Sequence, residues 1–249
     1  VVFLSGKDHV DADNNNDQDL YVRDMVTGAF EWIDFVGDGS SIGNEVYEID
    51  LSGNGRTIVF ESRANLLPGE TADRDVYAYD RQTDTATLVS GSVGGMSDDG
   101  RGSRSPAVTD DGRYVVFLTG KDLDPAHDDN GEQDYYVKDL ASGTYSWIDF
   151  FGDGSSVGDD AWDTKISGDG SKIVFESDDD LFPGELSSRD IYVYDRDAEE
   201  GMLLSAARPE GDELDRGTRD ASISDDGRFV TVFSGKDFLA SDTNGDQDL

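Results

Sequence analysis

Residues 11–20 read DADNNNDQDL, which sets Asp11, Asp13, Asn15, Asp17 and Asp19 on alternate positions of one short segment. Hard oxygen ligands at this spacing are the chemistry of calcium. That ion takes about six to eight oxygens at flexible geometry, from side chains at loop positions 1, 3, 5 and 9 and from a backbone carbonyl at position 7. Asp11, Asp13, Asn15 and Asp19 fit the side-chain positions and Asp17 the carbonyl one. Asn16 stands where such a loop turns, and asparagine tolerates the left-handed conformation required there.

Two further segments carry the pattern in weaker form. HDDNGEQD keeps Asp128, Asn130, Glu132 and Asp134, and SDTNGDQD keeps Asp242, Asn244, Asp246 and Asp248, but Ala126 and Ala240 occupy position 1. The corresponding places between them read PGETADRD and PGELSSRD, where Arg74 and Arg189 bring positive charge and most ligands are gone, so no calcium is expected there. The competing reading of all three acidic segments is a solvated turn whose Asx side chains satisfy the local backbone.

The remaining residues offer little to covalent or acid–base catalysis, and no enzyme activity is expected. His9 and His127 are the only histidines and fall in different repeat units, and there is no cysteine. Paired carboxylates say little in a chain with 56 acidic residues. GDGSS at 37–41 and 152–156 lacks the lysine and the helix start of a phosphate cradle and reads as a turn between blades. Trp32 and Trp147 sit at matching places in two WIDF segments, where packing is expected and stacking on a sugar is the alternative. Arg56, Arg113 and Arg228 follow Asp-Gly or Asn-Gly turns and are expected to pair with carboxylates between blades.

The elements that position these groups repeat. SGNGRTIVF starts at 52, TDDGRYVVF at 109, SGDGSKIVF at 167 and SDDGRFVTVF at 224. Each is a tight turn followed by an apolar strand, since Asp-Gly and Asn-Gly supply the positive φ that hairpins need. A third strand follows each polar loop (DLYVRD, DVYAYD, DYYVKD, DIYVYD), then a fourth (FEWIDF, ATLVSG, YSWIDF, GMLLSA). Four antiparallel strands per period of about 57 residues make one propeller blade. The predicted fold is therefore all-β, a single β-propeller region over 1–249 with about 4.5 blades, in units 1–56, 57–113, 114–171, 172–228 and a partial 229–249. The first and third units share WIDF and GDGSS, the second and fourth LxPGE and RDxYxYDR, so the larger repeat is a pair of blades.

A formal charge of −36 makes approach to nucleic acid or to an anionic membrane surface unfavourable, and DNA and RNA are not expected as natural partners. The same charge calls for screening or bound cations, whether from calcium or from a saline habitat. No apolar run approaches the roughly 20 residues that cross a bilayer as a helix.

The SxDGRxVVF hairpin with the DxYVxD strand after it resembles the TolB-like, WD40-like (PD40) propeller repeat along nearly the whole chain. The 11–19 segment resembles the DxDxDGxxD calcium loops of integrin-type propellers, with Asn15 for the third aspartate and Asn16 for the glycine. These resemblances imply a platform rather than a catalyst. The leading expectation is an extracellular or cell-surface, calcium-loaded protein that assembles with itself or adheres. A periplasmic TolB-like protein-binding scaffold, or the non-catalytic propeller of a larger hydrolase, are the alternatives. The chain opens on a second strand, VVFLSG, and stops at GDQDL, where a third strand would begin. That phase fits either a piece of a longer array or a subunit whose open edges pair, with 221–234 completing the first blade within the chain or in a second copy.

Overall fold

A computed structural model describes the chain except for residues 16, 38, 40, 41, 43, 44, 68–73, 92–97, 125, 129, 130, 159, 183–188, 206–217, 236, 237, 239, 240 and 242–249. Among the described residues the only regular elements are strands. The first sheet holds β1 (Val2–Ser5), β2 (Asp19–Arg23) and β3 (Phe30–Ile33). The second holds β4 (Val46–Leu51), β5 (Thr57–Ser62), β6 (Asp75–Asp80) and β7 (Thr85–Leu88). Next come β8 (Asp98–Val108), β9 (Tyr114–Lys121), β10 (Asp134–Asp139) and β11 (Tyr145–Trp147), then β12 (Ala161–Ile166), β13 (Lys172–Ser177), β14 (Asp190–Asp195) and β15 (Glu200–Leu203). β16 (Thr218–Ile223) and β17 (Val230–Ser234) pair only with each other in the last sheet, so they do not complete the first one within the chain. In every sheet the strand order follows the sequence and each pairing is antiparallel, the up-and-down path of a β-propeller blade.

The Asp-Gly and Asn-Gly turns link the blades in series. Asn54 N–H donates to the Asp110 carbonyl (2.9 Å), Asp110 N–H to that of Gly168 (3.0 Å) and Asp169 N–H to that of Asp225 (3.0 Å). Gly112 shows why glycine is required: its φ is +73°, and a Cβ there would lie 2.3 Å from the Thr57 hydroxyl of the preceding blade.

The apolar core lies between blades. Ile58, Phe60, Tyr77 and Tyr79 of the second blade pack on Leu20, Val22 and Ile33 of the first, while Val59, Val76 and Ala78 face Val115, Phe117 and Tyr136 of the third. Alternate residues of one strand thus serve opposite seams, which is why the two middle strands are apolar almost throughout instead of alternating.

The arginines after the turns pair within their blade, not between blades. Antiparallel register sets Thr57 opposite Asp80, and Arg56 meets the Asp80 carboxylate at 2.5 Å; Arg113 likewise meets Asp139 at 2.8 Å. Arg228 lies 3.8 Å from Asp226 in its own turn, and an arginine that does pair across blades is Arg81, the residue after Asp80, with Glu31.

Candidate functional site

Because the strands of a blade alternate in direction, the segments joining second to third strands and those joining one blade to the next lie at the same end. The Asp-Gly turns lie at the other. Asp19, Asp75, Asp134 and Asp190 open the third strands at the first of these ends, and all four are buried. In the second blade the Ser90 hydroxyl donates to Asp75 Oδ1 (2.7 Å) while accepting the Val76 N–H (2.9 Å), and Lys121 Nζ, reaching across from the third blade, lies 2.6 Å from the same carboxylate. In the fourth blade the Ser205 hydroxyl donates to Asp190 in the same way.

The first blade replaces both groups. Asp34 stands where the second has Ser90, and its carboxylate turns outward to accept the N–H groups of Gly37 (2.9 Å) and Gly39 (3.0 Å). Where the third blade has Lys121 facing Asp75 of the second, the second blade has Ala64 at the equivalent position next to the first blade. The equivalence is fixed by one local bond, since Ala64 N–H donates to Ser62 Oγ as Lys121 N–H donates to Thr119 Oγ1. Asp19 is fully buried, and neither of its carboxylate oxygens has a hydrogen-bond partner among the described residues.

Asp13 is buried beside it. The Tyr21 hydroxyl donates to Asp13, and Tyr21 follows Asp19 by two positions on β2, hence on the same face of the blade. Burial raises the Asp13 carboxyl above the usual range, and the charges of Asp19 and Asp8 add to the rise. Asp11 and Asp17 are exposed, and half-buried Asn15 accepts the Asp17 N–H at 2.8 Å, the Asx turn of the competing reading. The third blade repeats the frame: Tyr136 donates to buried Asp128, Asp134 is buried, Asp149 caps Gly152 at 2.8 Å, and exposed Glu132 accepts from Ser156 at 2.5 Å. Among the described residues no three His, Asp or Glu side chains are grouped as a metal set. Asn130, Asp242, Asn244, Asp246 and Asp248 lie outside the described residues.

A second constellation occupies the innermost strands at this end. β4, β12 and β16 each shift register once and β8 twice, and the residues at the matching bulges include Glu48, Ser105, Asp163 and Asp220. Ser105, Asp163 and Asp220 have φ of 52°, 48° and 55°, strain that bulges hold when the surrounding sheet enforces it. The residues just before them are Tyr47, Arg104, Trp162 and Arg219. Arg74 lies over the Tyr47 ring at 4.8 Å and Arg189 over Trp162 at 4.9 Å. Each of those arginines also meets a buried glutamate, Arg74 with Glu61 at 3.0 Å and Arg189 with Glu176 at 4.0 Å, and each glutamate accepts a backbone N–H of the next bulge. A cleft of about 260 Å³ beside the bulges is lined by Glu48, Asp50, Pro106, Asp163 and Lys165.

Burial pushes the Glu61 carboxyl up to about 7, against the lowering pull of the Ser105 N–H; Glu176 is raised for the same reason. Below about pH 4.5 folded and unfolded chains both carry the proton on Glu61. From there to about pH 7 the folded state binds more protons, so this group makes stability fall as pH rises. Asp80, held down to about 2 by Arg56, acts only below that window. The Glu61→Gln variant should therefore lose less melting temperature than the wild type between about pH 5 and pH 7.5, as thermal melts at the two pH values will read.

No family model matches the sequence, and no curated relative matches it. Among solved structures, TolB from Acinetobacter baumannii superposes with a TM-score of 0.50 at 18% identity, over 88% of this chain and 49% of that one. The fold is a TolB-like β-propeller. An oligogalacturonate lyase solved in complex with manganese shows the same architecture, with a TM-score of 0.51 at 13% identity over 88% of this chain and 51% of the lyase. The chain spans about half the length of each, and at these identities the likeness is one of fold alone.

Within the TolB-like frame, the sequence singled out Asp13, Asp19, Asp128 and Asp134, and these are the acidic-segment residues that the structure buries together. It did not single out Asp34, Asp149, Ser90, Ser205 or Lys121, which decide whether a buried aspartate is satisfied. The signal was present as Ser in ATLVSG against Asp in WIDF, and as a lysine in SGKD and TGKD. His127 is an exposed loop residue 2.9 Å from Asp124, whereas His9 is packed, stacked on Phe30 at 4.7 Å with Ser5 Oγ 2.9 Å from its Nε2. Trp32 and Trp147 are half-buried on the outer strands, Trp147 against the core between the second and third blades.

Proposed function

We propose that the chain is a non-catalytic propeller module that binds a protein partner outside the cytoplasm, in a periplasmic or extracellular setting. The observation that carries this reading is the alternation of Tyr47, Arg104, Trp162 and Arg219 at one position of the innermost strands. Tryptophan, tyrosine and arginine are the residue types that dominate protein interface energies, because they bring large rigid area together with directed polar contacts. Tyr47 is 46% exposed with Arg74 over its ring, so the tyrosine and the arginine together form the surface offered to a partner. Likeness of fold to TolB supports a scaffold.

The test is capture from the organism's own envelope fraction by the wild type and by a Tyr47→Ala/Trp162→Ala double variant with matched melting temperature. A single stoichiometric partner retained by the wild type and lost, by about 100-fold in Kd, from the variant is expected for two interface anchors at about 1–2 kcal/mol each. A partner kept by both would place binding elsewhere. Rings or fibres of the purified chain would favour self-assembly instead, and co-purification with a catalytic segment would favour the propeller of a larger hydrolase.

A further inference from the structure

We infer that Asp13 and Asp19 form the inner half of a divalent-cation site of the calcium class, and that the blades alternate between two ways of satisfying one buried carboxylate. A buried aspartate without hydrogen bonds is a costly group unless a counter-charge meets it. Asp75 has a serine hydroxyl and a lysine ammonium, both buried, at 2.7 and 2.6 Å. At the matching places around Asp19 stand Asp34, engaged with two glycine N–H groups of the next turn, and Ala64, which has no polar side chain. The first blade has thus lost both donors while keeping the aspartate fully buried and adding buried Asp13 beside it.

The preceding segment supplies what a calcium ion would still need. Asp11 and Asn15 are on the alternate positions that complete an oxygen loop, and the carbonyl of residue 17 falls at the position where such loops use the backbone. The lysine and the cation are therefore alternative counter-charges for the same acid, and Asp34 takes the place of a serine that the first blade has no need of. In the third blade, buried Asp128 bonded to Tyr136 and Asp149 in the serine's place repeat this arrangement with fewer acidic ligands, which predicts a weaker site there.

Terbium is a calcium-sized ion whose luminescence a nearby tyrosine excites, and Tyr21 touches Asp13. Titrated into the chelator-stripped chain in ~0.15 M NaCl, where diffuse attraction to surface charge is screened, it should give a saturable, calcium-displaceable signal. Asp19→Asn should remove the tighter component, weakening it more than ~10-fold, because ligand charge sets affinity in such loops. Asp197→Asn, at an exposed acid, should leave both components in place. No saturable signal in the wild type, or the same curve from Asp19→Asn, overturns the site. Where Asp19→Asn does not fold, Asp34→Ser serves instead: it rebuilds the second blade's solution and should shrink the fall in melting temperature on adding chelator. An unchanged fall in that variant overturns the exchange of serine for cation.

Discussion

Lys121→Met will destabilise the protein by about 3–5 kcal/mol, the cost of leaving a buried carboxylate without its counter-charge. Lys121 and Asp75 have side chains only 3% and 1% exposed, and the ammonium lies 2.6 Å from Asp75 Oδ1 and 3.3 Å from the Ser90 carbonyl. The contact joins the third blade to the second, so its loss loosens a seam as well as a residue. For a chain of this size the drop in melting temperature should be about 10 °C. Adding Asp75→Asn should recover most of it, since an amide keeps the Ser90 hydrogen bond without a charge to bury, and replacing both members of a buried pair is often close to neutral. Chemical denaturation of the single and double variants reads both steps; a single variant within about 0.5 kcal/mol of wild type would show that the pair does not hold the seam.

Phe175→Ala will cost about 3–5 kcal/mol by a different route, the loss of buried apolar area together with the cavity left behind. Phe175 is fully buried where the third and fourth blades meet. Its ring centroid is 4.8 Å from that of Tyr135, 5.3 Å from Phe150 and 5.5 Å from Tyr192, so three aromatic neighbours from two blades lose a partner at once. Phe175, Tyr192 and Tyr135 sit on β13, β14 and β10, central strands hydrogen-bonded on both sides, and have little freedom to collapse into the space. Phe229→Ala, at a ring 62% exposed, should stay within about 0.5 kcal/mol of wild type. Equal effects at the two positions, read in one denaturation series, would contradict a core located at the seams.

The blades were legible because their signals are local. A positive-φ turn, an apolar strand and a polar loop recur at nearly constant spacing, and strand pairing follows from the order alone. The buried aspartates were half legible. Asp13 and Asp19 stood out as oxygen ligands by spacing, but the feature that separates Asp19 from Asp75 lies in two other places: a residue 15 positions further along its own blade, Asp34 or Ser90, and a residue of the next blade, Ala64 or Lys121. Contacts made across a seam leave no periodic trace in a single sequence. The same reason explains the arginines after the turns, whose partner is set by strand register, so Arg56 meets Asp80 in its own sheet and not a neighbour. The row of Tyr47, Arg104, Trp162 and Arg219 has no shared residue type to mark it in the sequence, because its meaning depends on four bulges lying side by side.

Crystals of the chain grown with calcium and measured at a wavelength where that ion scatters anomalously would weigh the two kinds of blade against each other directly. The account predicts a peak between Asp13 and Asp19, a weaker one beside Asp128 and Asp134, and none beside Asp75, where Lys121 already stands. Density absent at Asp19, or equal at Asp19 and Asp75, would contradict it.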